Sequence, residues 1–157
     1  MKTKITKSHW LMFTLFLTLF SSACKDQDDC CVIIETAVQI SYVNDQGENL
    51  LNSSTEFDES KIRIYYKKED SFEYAYDGNL DAPNMYSIYY DQDSMQLLKV
   101  FPSNHYDGNF STTLIELNET TVDTLYCEFE LGDSKEICIG AWLNGVEMPD
   151  RFLTVVK

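Results

Sequence analysis

Along most of this chain apolar residues recur at every second position. Val38, Ile40 and Tyr42 alternate with Gln39 and Ser41, and Ile62, Ile64 and Tyr66 alternate with Lys61, Arg63 and Lys67. Phe72, Tyr74 and Tyr76 alternate with Glu73 and Ala75, and Tyr86, Ile88 and Tyr90 with Ser87 and Tyr89. The same spacing returns in Thr113, Ile115 and Leu117, in Leu125, Cys127, Phe129 and Leu131, and in Ile137, Ile139, Ala141 and Leu143. Successive side chains of an extended strand point to opposite faces, so this period predicts strands with one face turned to a core. A last strand is predicted from about Phe152 to Val156. No stretch carries the three-to-four spacing of an amphipathic helix.

Turn signals punctuate the strands: Asp45-Gln46-Gly47, Asp77-Gly78-Asn79, Asp91-Gln92-Asp93, Asp107-Gly108-Asn109, Gly132-Asp133 and Asn144-Gly145. Short strands at this spacing predict an all-β antiparallel two-sheet sandwich of roughly seven to nine strands over residues 32–157. Its core is expected to hold Ile40, Ile64, Ile115, Phe129, Ile139 and Trp142. Trp142 belongs to a second layer, because its parity opposes that of Ile139. Asp45-x-Gly47-x-x-Leu50-Leu51, directly after the first strand, resembles the opening of transthyretin-like and immunoglobulin-like modules in bacterial surface proteins. Physically it is a tight turn that needs glycine, followed by an apolar return into the core.

The start of the chain has a different pattern. Lys2, Lys4 and Lys7 precede an apolar run from Trp10 to Phe20, and Ser21, Ser22 and Ala23 then meet Cys24. That order predicts a secretory signal over residues 1–23, with an apolar run too short to span a membrane. A cysteine directly after the small residues resembles the lipobox of bacterial lipoproteins, with Ser21 where Leu is usual. The resemblance implies that Cys24 becomes the lipidated first residue of the mature chain. Lys25, Asp26, Asp28 and Asp29 resemble the export tag that sends Bacteroidota lipoproteins to the outer face of the outer membrane. Residues 24–31 would form an acidic tether, with the membrane held as a partner through the lipid anchor.

Removing residues 1–23 from the 157 leaves 134, enough for one domain with its own core. Three of the 12 basic residues leave with the leader and all 26 acidic ones stay, so the mature formal charge is 9 minus 26, or −17. Such a chain repels nucleic acid and anionic headgroups, which excludes both as partners of the domain.

Little chemistry is written in the mature part. His105 is its single histidine, in Pro102-Ser103-Asn104-His105-Tyr106-Asp107-Gly108, with no nucleophile elbow beside it. No catalytic residue, metal set, phosphate-binding glycine loop or cofactor is therefore expected, and the acidic turns lack calcium-loop spacing. Cys30, Cys31, Cys127 and Cys138 form an even set, for which an exported protein permits disulfides. Strict alternation places Cys127 on the buried odd face and Cys138 on the opposite one. Cys127 is then expected as a small buried hydrophobe, and Cys138 as free or bonded to Cys30 or Cys31.

Tyr65, Tyr89 and Tyr106 fall on faces or loops away from the apolar alternation, as flat rings do in carbohydrate-binding modules. Asp93-Ser94-Met95 and Asp123-Thr124-Leu125 resemble the tripeptide at which Bacteroidota attach O-glycans. The expected function is a noncatalytic surface module that binds a glycan, a peptide or a partner protein. The alternatives are a small carboxylate-dependent hydrolase and a structural subunit of a surface assembly.

Overall fold

The computed structural model describes residues 32–51, 56–92 and 94–157. Cys24, Lys25, Asp26, Asp28, Asp29, Cys30, Cys31 and Asp93 lie outside the described residues.

Among the described residues, eleven strands pack as two sheets: β1 (Ile33–Glu35), β2 (Val38–Val43), β3 (Arg63–Lys68), β4 (Ser71–Tyr74), β5 (Tyr86–Tyr90), β6 (Gln96–Val100), β7 (Phe110–Asn118), β8 (Thr121–Gly132), β9 (Lys135–Leu143), β10 (Val146–Glu147) and β11 (Phe152–Val156). The larger sheet has the order β1-β9-β8-β7-β3-β4, with β10 also paired to β9, and the smaller has the order β11-β2-β6-β5. The fold is a β-sandwich, as the alternation predicts. Three strands have no counterpart among the alternating runs: the very short β1 and β10, whose three and two residues carry no readable period, and β6, where adjacent Leu97 and Leu98 are both buried and break the alternation.

The sheets are mixed instead of purely antiparallel. β1 runs parallel to β9, and β11 runs parallel to β2. Each parallel pair joins strands far apart in sequence, which a hairpin cannot do. Local alternation is blind to such pairings.

Between the sheets lie Ile64, Tyr66, Ile115, Leu117, Leu125 and Phe129 from the larger one, facing Val38, Ile40, Tyr42, Leu98 and Val100 from the smaller. Phe57, Leu50, Leu51 and Met148 close the core from the loops. Ile40, Ile64, Ile115 and Phe129 are thus buried as expected.

The expectation fails on β9, where Ile139 is 57% exposed and Trp142 is half-buried on the outer face. The cause is a β-bulge. Glu128 pairs with Gly140 but the next residue, Phe129, pairs with Cys138, leaving Ile139 as the extra residue. One extra residue reverses parity beyond it, so Ile139 turns outward and Cys138 turns into the core. Cys138 is therefore buried beside Cys127, contrary to strict alternation, and both are free thiols.

A second reversal affects β4. Tyr74 pairs with Tyr65 and Phe72 with Lys67. Directly opposed residues share a face, and β3 already turns Ile64 and Tyr66 inward. Phe72 and Tyr74 are consequently exposed, and Tyr76 beyond the strand is exposed as well.

Candidate aromatic binding face

The outer surface of the larger sheet carries the residues that the core does not use. Reading across the strands, Trp142 pairs with Tyr126, Tyr126 with Thr112, and Phe110 with Glu128. The Phe110 and Tyr126 rings are stacked, 5.2 Å apart and 7° from parallel. Tyr126 and Trp142 follow at 6.0 Å with a 49° tilt. The three rings form one row across β7, β8 and β9.

Each ring is held by its local backbone. Phe110 begins β7 immediately after a tight turn, in which Asp107 and Phe110 exchange backbone hydrogen bonds of 2.8 and 3.1 Å. Gly108 takes the left-handed conformation, φ 62°, which that turn needs. Trp142 lies over Gly140: a Cβ added at Gly140 would sit 2.8 Å from the indole Cη2. The missing side chain is what lets the indole lie down on the sheet.

The row divides two shallow grooves. One, of about 750 Å³, is lined by the three rings together with Glu128, Thr124 and Asn144. Asn144 and Gly145, both with positive φ, form the two-residue turn that joins β9 to β10. The Asn144 side chain accepts the Thr124 N–H at 2.8 Å and donates to Asp123 at 2.7 Å, which fixes the hairpin to β8. The other groove, of about 480 Å³, lies beyond Phe110 and Tyr126, among Lys67, Glu69, His105, Tyr106 and Asp107. Each groove thus offers flat apolar surface beside hydrogen-bonding groups of both polarities.

The three tyrosines singled out by sequence do not converge. Tyr65 stands on this same outer face, edge-on to Tyr74 at 5.8 Å. Hydrogen bonding to Glu116 raises its hydroxyl pKa. Tyr74 in turn stacks on Tyr76 at 6.4 Å, which extends the aromatic surface towards the β4 edge. Tyr106 belongs partly to the core: its ring meets Phe129 edge-on at 5.1 Å, and its hydroxyl donates to Glu136. Burial and that carboxylate push its pKa up. Tyr89 is on the other sheet, donating to Gln39 Oε1 at 2.7 Å, and shares no surface with Tyr65.

Phe110, Tyr126 and Trp142 were all legible by the rule that selected Tyr65. Tyr126 is even-numbered on a strand whose odd positions are apolar, and Phe110 is even on β7. Applied to every strand, the parity rule turns all three outward, and strand pairing makes them neighbours.

His105 sits in an exposed loop with its ring 6.4 Å from Tyr66, and its backbone N–H donates to Ser103 Oγ at 3.1 Å. Among the described residues no three His, Cys, Asp or Glu side chains gather where they could hold a metal ion. Asp123 and Leu125 of the glycosylation-like tripeptide are buried, while Thr124 is exposed. The folded chain therefore does not display that tripeptide as one unit. No family model matches this chain, and no characterised protein or solved structure is significantly similar to it.

Proposed function

We propose that this protein is a lipid-anchored, noncatalytic glycan-binding module of a bacterial outer membrane, with its domain turned to the cell exterior. The address rests on the leader and on Cys24, Lys25, Asp26, Asp28 and Asp29. The binding reading rests on one observation: the Phe110–Tyr126–Trp142 row on the outer face, Tyr126 exposed and its two neighbours half-buried, with Glu128, Thr124 and Asn144 at its border. A pyranose ring presents C–H groups on its faces and hydroxyls around its rim. Aromatic faces carry partial negative charge that attracts C–H groups, and the bordering carboxylate and amide can pair with hydroxyls.

Calorimetry of the purified chain against a panel of neutral oligosaccharides tests the binding. A ligand is expected whose affinity falls about tenfold in Tyr126→Ala, equal to about 1.4 kcal/mol, with the melting temperature nearly unchanged. Release of product, abolished by Glu128→Gln, would instead establish the hydrolase. Cys24→Ala is expected to remove the protein from the detergent phase of a membrane extraction. Continued partitioning would sink the lipoprotein reading.

A further inference from the structure

The bulge in β9 has brought together two thiols that regular pairing would separate. Cys127 pairs with Ala141 and Cys138 with Phe129. Ile139, the bulged residue, points outward, so Cys138 is the core-facing residue of β9 that precedes Ala141, diagonal to Cys127. Both side chains are buried and both are free. The two thiols shift each other's ionisation, and Cys138 donates to the Gly140 carbonyl at 3.3 Å.

Their surroundings differ. Cys127 lies inside the core. Cys138 instead lines a cavity of about 300 Å³, together with Gly140, Glu147, Met148 and Arg151. The cavity is bordered by the 3-10 turn Pro149–Arg151, in which Asp150 and Arg151 have φ of 51° and 61°. Left-handed backbone at two successive non-glycine residues is strained, and such strain gathers where a segment is held for a purpose. Arg151 is tied down by a 2.8 Å hydrogen bond to the Glu35 carbonyl and an ion pair with its carboxylate. The neighbouring Cys127 and, less strongly, the Arg151 guanidinium lower the Cys138 pKa against the burial that raises it, while Cys138 and burial push Cys127 up.

We propose that Cys127 and Cys138 are a redox-active dithiol, reached by small disulfides through the cavity beside Met148 and Arg151, that closes into a disulfide joining β8 to β9. Cys138 is the attacking thiol and Cys127 the resolving one. The Cys138 thiolate attacks one sulfur of a small disulfide RSSR, forming a mixed disulfide and expelling one RS⁻. Cys127 then loses its proton to solvent and attacks the Cys138 sulfur, expelling the second RS⁻. Both thiolates take up protons, so two protein thiols and RSSR become one protein disulfide and two RSH.

Oxidised glutathione is the probe, applied to the full chain at neutral pH. Remaining thiols are then alkylated and the chain is digested with trypsin without reduction. Cleavage after Lys135 separates the two cysteines, so peptide 100–135 is expected linked to peptide 136–151, and the link must vanish on reduction. Peptide 136–151 linked to 26–61 would mean that Cys138 pairs with Cys30 or Cys31, which overturns the proposal. Alkylated, unlinked Cys127 and Cys138 would overturn it equally. In Cys127→Ser, glutathione should remain on Cys138 as a stable mixed disulfide. In Cys138→Ser, Cys127 should react far more slowly, and equal rates would refute the assigned order of attack.

Discussion

Asp123 is a carboxylate inside a hydrophobic core, and its partners show how that is tolerated. Its oxygens accept from the Tyr42 hydroxyl at 2.8 Å, the Asn144 amide at 2.7 Å and the Lys157 ammonium at 2.6 Å. The Lys157 ammonium also lies 6.0 Å from the Tyr42 ring centre. An ion pair with this many hydrogen bonds recovers much of its desolvation cost, but removing one partner leaves the other stranded. Asp123→Ala is expected to lower the unfolding free energy by about 3–5 kcal/mol, read from urea denaturation. A loss below about 1 kcal/mol would mean that water reaches Asp123. Gly140→Ala belongs to the same scale. Gly140 does not have positive φ, so the strain of a new methyl comes from the Trp142 indole, 2.8 Å away at Cη2, with Glu128 Cβ in ordinary contact at 3.6 Å. That variant should keep its melting temperature, shift tryptophan fluorescence and weaken glycan binding.

At the scale of the element, the bulge between β8 and β9 decides which residues of β9 matter. Phe129 is 1% exposed and Ile139 is 57% exposed. Phe129→Ala should therefore cost about 3–5 kcal/mol, as large-to-small changes in packed cores do. Ile139→Ala should cost less than about 0.5 kcal/mol, as surface changes do. Equal losses in the two variants would mean that the strand is paired without its bulge. Nothing in the run Lys135-Glu136-Ile137-Cys138-Ile139-Gly140 announces where the extra residue falls. Ile139 is as apolar as a core residue, and the register is settled only when β8 pairs with it. The bulge therefore accounts for both the misplaced Ile139 and the misplaced Cys138.

For the whole molecule, the sandwich encloses tyrosine hydroxyls whose ionisation it opposes. Burial raises the pKa of Tyr42, Tyr66 and Tyr106, and the Asp123 and Glu136 carboxylates add to it at the first and last. Unfolded tyrosine ionises near pH ~10. Below that, folded and unfolded chains hold these protons alike, and stability does not depend on them. Above it the unfolded chain loses protons that the folded chain keeps, so stability falls as pH rises. The urea midpoint should fall between about pH 9 and 11, less steeply in Tyr42→Phe. A midpoint level to pH ~11 would show that the hydroxyls ionise freely in the fold.

The sequence alone determined the class of fold and most of its core, because the two-residue period is a local property of an extended chain. Ile40, Ile64, Ile115 and Phe129 are buried for that reason, and Asn144-Gly145 turns for an equally local one. It also named the outward parity on which Tyr65 and Tyr126 stand. Only the tertiary structure decided which strands become neighbours. Pairing between distant segments set β1 beside β9 and β11 beside β2, and turned β4 outward through its register with β3. Pairing also placed the bulge, and with it joined Phe110, Tyr126 and Trp142 into one surface and two cysteines into one contact. A strand carries its own period, but its register belongs to the pair.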